Sequence, residues 1–232
     1  MEQFGLFDNP TDWPDKLFRW REGRPDELVR DVQAGQILCH QGSAAEYLFE
    51  LVSGTIRLST VTEDGRNIVL GFPSSGAIVG LTGASEYTYS AKTITAVKLR
   101  SIGRVRFYRE VMQNKQARER LIRWIATQEA DAQQHISMLA MAHPSSRIAA
   151  FLIKMADRQN ADVGGRPVTI DLPMTQRDIA AHLAIAPETY SRIIRKLREA
   201  GLVQAKRLGK DNNSIEIYDI EQLNDIAGGQ KI

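Results

Sequence analysis

The amino-acid sequence predicts an α+β protein with an antiparallel β-roll first, a long helix next and a winged helix-turn-helix last. Three observations predict this order. Short β-type runs alternate with turn residues from about Leu28 to Arg106, and a stretch without Gly or Pro then shows helical periodicity. Two short helical segments and a hairpin pattern follow towards the C-terminus. We therefore expect three regions, at residues 1–106, 107–142 and 143–232.

The first region has the pattern of a β-roll, with a helical segment expected before it. Its β-type runs include "EYLFELVSG", "TIRLSTVTEDG", "RNIVLGFPSSG" and "SAKTITAVKLRSI". The "EDG" stretch at 63–65 predicts a hairpin turn. Glycines recur at the spacing of a strand plus a turn: Gly35, Gly42, Gly54, Gly65, Gly71, Gly76 and Gly80. This spacing favours many short antiparallel strands.

From about Val105 to Ala142 the pattern predicts a single long amphipathic helix. Apolar residues recur at three- and four-residue steps, interrupted by Glu129: Ile122, Ile125, Ala132, Ile136 and Leu139. Such a narrow stripe most often packs against another helix, so it predicts a homodimer with a coiled-coil-like contact. The alternative is that the stripe packs only on the β-roll of its own chain.

The last region predicts two short helices followed by a wing. His143 and Pro144 break the long helix, and "SSRIAAFLIKMADRQN" resumes helical periodicity before the strand-like "VTIDLP". Thr175 is a natural N-cap, with Asp178 in the capping-box position. Pro187 suits the first turn of a second helix, which Gly201 would end. Two strand-like runs about a polar turn then predict the wing.

Charge is concentrated in the same segment. The whole chain has a net charge of only +2, yet Met174 to Lys210 contains eight basic and three acidic residues, a local excess of +5. Such an excess suits a polyanionic partner. The alternative is a solvated charged face, which charge by itself does not exclude.

The second helix of this pair carries a pattern typical of base recognition. Glu188 and Arg192 are four residues apart and share a face, with Ser191 beside them. An acidic acceptor can bind a cytosine or adenine amine, and an arginine fork can bind guanine. The alternative is an ordinary surface ion pair. The apolar turn before the helix favours DNA recognition, and so do the basic residues that follow: Arg195, Lys196 and Arg198.

These motifs resemble the Crp/Fnr family of bacterial transcription regulators over nearly the whole chain. The resemblance rests on "GQILCHQGSAAEYLFELVSGTIRLSTVTEDGRNIVLGF", on "GAIVGL", on the long helix and on "TQRDIAAHLAIAPETYSRIIRKLREAGLV". The "ETYSR" motif looks like the E-x-x-S-R arrangement of the Fnr and FixK branches. One departure is Ala184, where the turn between the helices often carries glycine. Alanine can be accommodated there at a small backbone cost.

The resemblance implies a role for each matching residue. Glu188, Ser191 and Arg192 fall on base-reading positions, and Arg177, Thr189 and Arg195 fall on positions that approach phosphates. It further implies a homodimer on a palindromic double-stranded DNA site with half-sites of the TTGA/TCAA type. The chain would recruit RNA polymerase, mostly as an activator, in metabolism linked to oxygen or nitrogen.

In this family the β-roll is a jelly roll of the cyclic-nucleotide-binding kind that senses an effector. The family's cyclic AMP pattern needs an acid where this chain has Ala77 and an arginine where it has "YTYSA", so that Lys92 is the only nearby cation. Cyclic AMP is therefore not expected. An iron–sulfur cluster needs four cysteine ligands, and the chain has one cysteine. No cofactor is predicted, although haem held by Cys39-His40 or by another histidine stays open.

Cys39 itself has two interpretations. It could be a redox switch, or a buried strand cysteine without reactivity.

The functional alternative to an effector-independent regulator is a ligand- or haem-gated one that binds DNA only when its β-roll is filled.

Other classes are excluded by composition and spacing. No apolar run is long enough to span a membrane, and the N-terminus lacks the pattern of a signal peptide, so we expect a cytoplasmic location without membrane contact. The four histidines are scattered, which gives no support for a metal site. No spacing suits a catalytic triad, a carboxylate pair or a phosphate loop, so an enzyme is not expected.

Overall fold

The computed structural model describes residues 29–159, 167–207 and 213–232. The chain divides into two compact units, with the boundary between Glu129 and Ala130. The predicted N-terminal helical segment and the polar turn of the wing lie outside the described residues. The predicted three-part division at 106 and 142 stays a prediction.

The described part of the first unit contains two antiparallel sheets. One has the strand order β1-β8-β3-β6 and the other β2-β7-β4-β5. The strands are β1 (Arg30–Val32), β2 (Ile37–Cys39), β3 (Tyr47–Ser53), β4 (Ile56–Val61), β5 (Asn67–Gly71), β6 (Ile78–Val79), β7 (Ser90–Thr93) and β8 (Val97–Gly103). Side chains such as Leu51, Ile56 and Ala91 are buried in the core. The predicted β-roll is confirmed.

Two details of the β-roll follow from local chemistry. Gly65 has a φ of +80°, and its N–H donates to the Thr62 carbonyl at 2.8 Å, which forms the predicted hairpin turn between β4 and β5. The run "SAKTITAVKLRSI", in contrast, does not form one strand. It is split at Ile94–Ala96 into β7 and β8, which belong to different sheets.

The predicted single long helix is interrupted near its start. Helix α1 spans Arg104–Gln113 and helix α2 spans Lys115–Leu139. Asn114 between them has an extended backbone, with φ −120° and ψ 111°, and its Oδ1 accepts from the Ala117 N–H at 3.1 Å. The expectation of one helix from about Val105 was therefore wrong, because a side-chain cap at Asn114 starts a new helix there.

Helix α2 has two apolar faces. Within the first unit, Ala117, Leu121 and Trp124 pack with Leu48 and Phe107. The predicted stripe is a different face, on which Ile122, Ile125 and Ile136 are 66%, 47% and 66% exposed. Within the first unit, the β-roll therefore leaves Ile122 and Ile125 of this stripe uncovered.

The second unit is a winged helix-turn-helix. Its elements are α3 (Pro144–Arg158), β9 (Val168–Leu172), α4 (Gln176–His182), α5 (Pro187–Glu199), β10 (Val203–Arg207), β11 (Asn213–Ile217) and α6 (Ile220–Ala227). The strands form an antiparallel sheet in the order β10-β11-β9. Sequence reasoning missed α6, which begins at the N-cap Asp219 and is held to α3 by a 2.7 Å bond from Ser146 Oγ to the Ile226 carbonyl. No described helix combines the length and the apolar character that a membrane span requires.

Candidate nucleic-acid interface

The capping box predicted at the start of α4 is present. The Thr175 hydroxyl accepts from the Asp178 N–H at 3.1 Å, and the Asp178 carboxylate accepts from the Thr175 N–H at 3.3 Å. Both bonds satisfy backbone donors that a helix start would leave unpaired. The first helix of the pair therefore begins at a fixed residue, which places Gln176 and Arg177 in its first turn.

The turn between α4 and α5 is held by a residue that sequence reasoning missed. Ala184 has a φ of 52°, so the alanine adopts the left-handed conformation that glycine usually supplies. Arg147 Nη1 on α3 donates to the carbonyls of Leu183 at 3.2 Å and Ala184 at 3.4 Å. Its Nε donates to the Met141 carbonyl at 3.0 Å. One guanidinium thus connects the turn between α4 and α5 to the short segment that follows α2.

Helix α5 is fixed at both ends. Pro187 occupies its first turn as predicted, after the N-cap Ala186. At the other end Gly201 has a φ of +73°, its N–H donates to Arg198, and the Leu202 N–H donates to Leu197, both at 3.0 Å. This pair of bonds is a Schellman motif, which confirms the predicted C-terminal glycine cap.

The inner face of α5 differs in one respect from the predicted stripe. Ile193 and Leu197 are buried as expected, whereas Ile194 is only half-buried. Tyr190, which was not part of the predicted stripe, is 2% exposed and completes the buried face of α5. These side chains hold α5 on its unit and leave the opposite face open to solvent.

The outer face brings the proposed base-reading residues together. Glu188, Ser191 and Arg192 are all exposed on α5. Within the described residues no ion pair joins Glu188 to Arg192, so the surface-pair interpretation finds no support there. The Ser191 hydroxyl donates to Oε1 of Gln176 at 3.2 Å, which links the exposed surfaces of α5 and α4.

The proposed phosphate-contacting residues surround this face. Arg177 is exposed in the first turn of α4, Thr189 is half-buried on α5, and Arg195 is exposed one turn after Ser191. Arg195 Nε lies 4.0 Å from Glu199 Oε1, with both side chains at least 60% exposed. Such an exposed pair contributes little, so the Arg195 charge stays available to a phosphate.

A cleft separates the helix pair from the sheet of the wing. It encloses about 640 Å³, and its polar lining includes Gln176, Lys206 and Ser214. The Lys206 ammonium donates to the Glu216 carboxylate, and this bond raises the pKa of Lys206 and lowers that of Glu216. The strand side of the cleft therefore carries a paired charge, whereas α5 lines the cleft with the uncharged Tyr190 and Ile194.

The β-roll has a different character. Cys39 is 6% exposed, its Sγ lies 3.9 Å from the Tyr89 carbonyl, and burial raises its pKa to about 11. The neighbouring His40 is exposed, so the two side chains do not lie in one environment where they could hold a haem iron together. Among the described residues there is no group of three metal-ligating side chains.

The segment at the family's cyclic-nucleotide arginine is occupied by tyrosines. The Tyr87 hydroxyl donates to the Tyr47 carbonyl at 2.7 Å, and the Tyr89 hydroxyl accepts from the Gly80 N–H at 2.8 Å. Ala77 presents a methyl group where the family's acid would accept a ribose hydroxyl. These residues do not fit a cyclic nucleotide, because neither position supplies the charge that its phosphate or ribose needs.

Comparison with known proteins agrees with this architecture. The cyclic nucleotide-binding domain family matches residues 29–114, and the Crp-like helix-turn-helix domain family matches residues 146–226. The chain is also 32% identical over 201 residues to the nitrogen fixation regulation protein FixK of Rhizobium meliloti, covering 86% of this chain and 87% of that one. The chain belongs to the Crp/Fnr family. It is accordingly a DNA-binding transcription regulator and not an enzyme.

Other members of the family share its length and fold. The transcriptional activator protein Anr of Pseudomonas aeruginosa is 30% identical over 210 residues, covering 88% of this chain and 84% of that one. The structure of FixK2 from Bradyrhizobium japonicum superimposes with a TM-score of 0.75 at 22% identity, covering 88% of this chain and 99% of that chain. At this identity the superposition shows the shared fold.

Proposed function

We propose that this regulator binds a palindromic site with half-sites of the TTGA/TCAA type as a homodimer. In this proposal one α5 helix enters each of two successive major grooves. The observation that carries it is the exposure of Glu188, Ser191 and Arg192 on one face of a helix whose start and end are both fixed. A rigid helix holds its base-reading groups in place before DNA binds, which lowers the entropic cost of binding.

Each of the three residues has a distinct role. The Arg192 guanidinium is a fork that matches the N7 and O6 acceptors of guanine. The Glu188 carboxylate accepts from the amine of cytosine or adenine. Ser191 lies between them and contacts a neighbouring base edge.

Contacts to phosphates would set the position of the helix in the groove. Arg177 and Arg195 supply positive charge, and Thr189 supplies a hydroxyl donor. Contacts of this kind contribute affinity without sequence information, and they weaken as salt rises. Cys39, the remaining candidate, is assigned no part in DNA binding.

The dimer would form through the exposed stripe of α2. Ile122, Ile125 and Ile136 are large apolar side chains that lie in solvent. A second copy of the same helix could bury all three, as in a coiled coil. The two-fold axis of such a dimer matches the two-fold symmetry of a palindromic site.

We further infer activation of transcription through RNA polymerase in the cytoplasm, in metabolism linked to oxygen or nitrogen. The support is the function named for the relatives, a nitrogen fixation regulation protein and a transcriptional activator.

The test compares two arginines of the same helix. Arg192→Ala should cost about 1–3 kcal/mol on the specific site and relax the preference at the guanine position. Arg195→Ala should weaken binding evenly to specific and random duplexes and reduce the slope of log affinity against log salt by about one. Fluorescence anisotropy with both duplexes over a salt series measures each quantity. Equal losses on specific and random DNA for Arg192→Ala would refute base reading by this residue.

A further inference from the structure

The bond between α4 and α5 at the DNA-facing surface has a consequence for specificity. Ser191 Oγ lies 3.2 Å from Gln176 Oε1, and both side chains are exposed. The capping box of α4 uses Thr175 and Asp178, so Gln176 takes no part in the cap. Its side chain instead reaches the second helix, at the residue next to Arg192.

A serine hydroxyl alone gives little discrimination between bases. It has one donor hydrogen and two acceptor lone pairs, and it rotates to suit whichever partner is offered. It can therefore bind the amines of adenine and cytosine or the acceptors of guanine and thymine. A second group that takes the hydroxyl hydrogen would remove half of these options.

Gln176 Oε1 is such a group. A carbonyl oxygen only accepts, so the Ser191 hydroxyl must direct its single hydrogen toward Gln176. The lone pairs of Ser191 then remain for DNA. An acceptor in the major groove can bind only the N6 amine of adenine or the N4 amine of cytosine, since the other polar groups of the base edges are acceptors too.

We propose that Gln176 is a specificity-determining positioning residue that fixes Ser191 as a hydrogen-bond acceptor and so selects an amine-bearing base opposite it. The inference rests on the proposed function, because it requires Ser191 to face a base. Gln176 acts through Ser191 and need not touch a base itself. The first helix of the pair then contributes to sequence recognition as well as to positioning.

The test first locates the base that Ser191 faces. Competition binding on the selected site, with all four bases placed at each half-site position, gives a preference profile for the wild type and for Ser191→Ala. The position at which Ser191→Ala loses discrimination is the one that Ser191 faces. We expect the wild type to prefer adenine or cytosine there over guanine or thymine.

Two substitutions of Gln176 then separate its acceptor from its size. Gln176→Leu frees the hydroxyl to donate, so the preference for amine-bearing bases at that position should fall roughly three- to tenfold, the range of one hydrogen bond. Gln176→Glu keeps an acceptor, so it should keep the preference while its charge lowers affinity evenly. Gln222→Leu is a matched control, since Gln222 is also an exposed glutamine in the first turn of a helix. It should change neither the base preference nor the affinity for DNA.

A double substitution tests whether the two residues act together. In a Ser191→Ala background, Gln176→Leu should have no further effect at the position concerned. Circular dichroism melts of each variant check that the fold is retained. We expect that it is, because the Gln176 side chain is exposed.

Several outcomes would overturn the inference. If Gln176→Leu leaves the preference intact, or weakens all sequences evenly as a lost phosphate contact would, Gln176 does not orient Ser191. A wild-type preference for guanine or thymine at that position would contradict the assigned polarity. If Ser191→Ala alters no position, base reading by Ser191 itself is wrong, and the role of Gln176 falls with it.

Discussion

The helix pair of the second unit and the β-roll of the first place their polar chemistry in opposite ways. On α5 the charged side chains Glu188, Arg192 and Arg195 lie in solvent, over an apolar inner face. In the β-roll the thiol of Cys39 and the hydroxyl of Tyr87 are turned inward, against backbone carbonyls. The first arrangement is prepared for a partner, whereas the second stabilises its own fold. Changes in the helix pair and its supports should therefore alter function strongly, and changes at Cys39 should not.

The largest effect is expected from disrupting the proposed dimer, which brings two copies of the α4–α5 helix pair to one DNA site. Ile122→Glu combined with Ile136→Glu places charges on the exposed stripe of α2 and should give a monomer. Affinity for the full palindrome should then fall about a hundredfold or more, because two linked binding events become separate ones. Sedimentation and binding to full and half sites measure this.

Gln134→Glu is the matched control for this helix, because Gln134 is exposed on α2 and helical spacing puts it on the side opposite the stripe. It should remain dimeric. A double variant that stays dimeric would show that the stripe is not the interface.

A smaller effect is expected from replacing Arg147, which supports the turn between α4 and α5. Arg147→Met keeps the length of the side chain but removes its bonds to Met141, Leu183 and Ala184. Bonds from a charged donor are worth about 1.5–3 kcal/mol, so the free energy of unfolding of the second unit should fall by about 2 kcal/mol. Urea denaturation followed at methyl signals of this unit measures it.

The control for Arg147 is Arg198→Met, which removes an exposed arginine from α5. It should change the unfolding free energy of the unit far less. Equal losses for the two variants would mean that the turn does not depend on Arg147.

The stability of the second unit should also depend on pH, through His135 on α2. Its ring stacks on His182 of α4 at 4.1 Å between centroids, and its Nδ1 is buried without a hydrogen bond among the described residues. The charged groups around it are Lys154 and Arg158 on α3, which both pair with Asp131 on α2. Burial lowers the pKa of His135, and the charges of Lys154 and Arg158 lower it further.

The sign of the pH dependence follows from this shift. The unfolded chain binds the proton at about pH 6.5, and the folded chain only at lower pH, so the contribution of His135 to stability is complete above pH 6.5 and is lost as the pH falls below it. His135→Phe keeps an aromatic ring but cannot titrate, so it should reduce this loss. Denaturation at pH 8 and pH 5.5 measures the difference, with the exposed His40→Gln as control. An unchanged pH dependence in His135→Phe would refute the assignment.

The smallest effect is expected in the β-roll. A thiol with its pKa raised to about 11 stays protonated at neutral pH, so Cys39 should react slowly with thiol reagents in the native protein. Cys39→Ala should bind its DNA site within about twofold of the wild type, before and after mild oxidation. Oxidant-sensitive DNA binding that disappears in Cys39→Ala would instead make this residue a redox switch.

Sequence patterns predicted the parts of the fold that depend on neighbouring residues. The capping box of Thr175 and Asp178, the proline at the start of α5 and the glycine at its end all act within a few residues, and all are present. The exposed stripe of α2 was also predicted, because helical spacing alone defines a face.

The features that were missed depend on residues distant in the sequence. Arg147 reaches carbonyls 36 and 37 residues away, and Gln176 reaches Ser191 across 15 residues. The separation of β7 from β8 depends on which sheet each strand joins. The break at Asn114 was local and could have been found, since asparagine is a good N-cap and a poor helix former.

The central claim is that two copies of α5 read DNA through Glu188, Ser191 and Arg192. Selection of sites from a random duplex library by the purified full-length protein tests it most directly. We predict enrichment of a palindrome whose half-sites are of the TTGA/TCAA type, with centres about one helical turn apart. Enrichment of sites without two-fold symmetry, or no enrichment over random DNA, would contradict the claim.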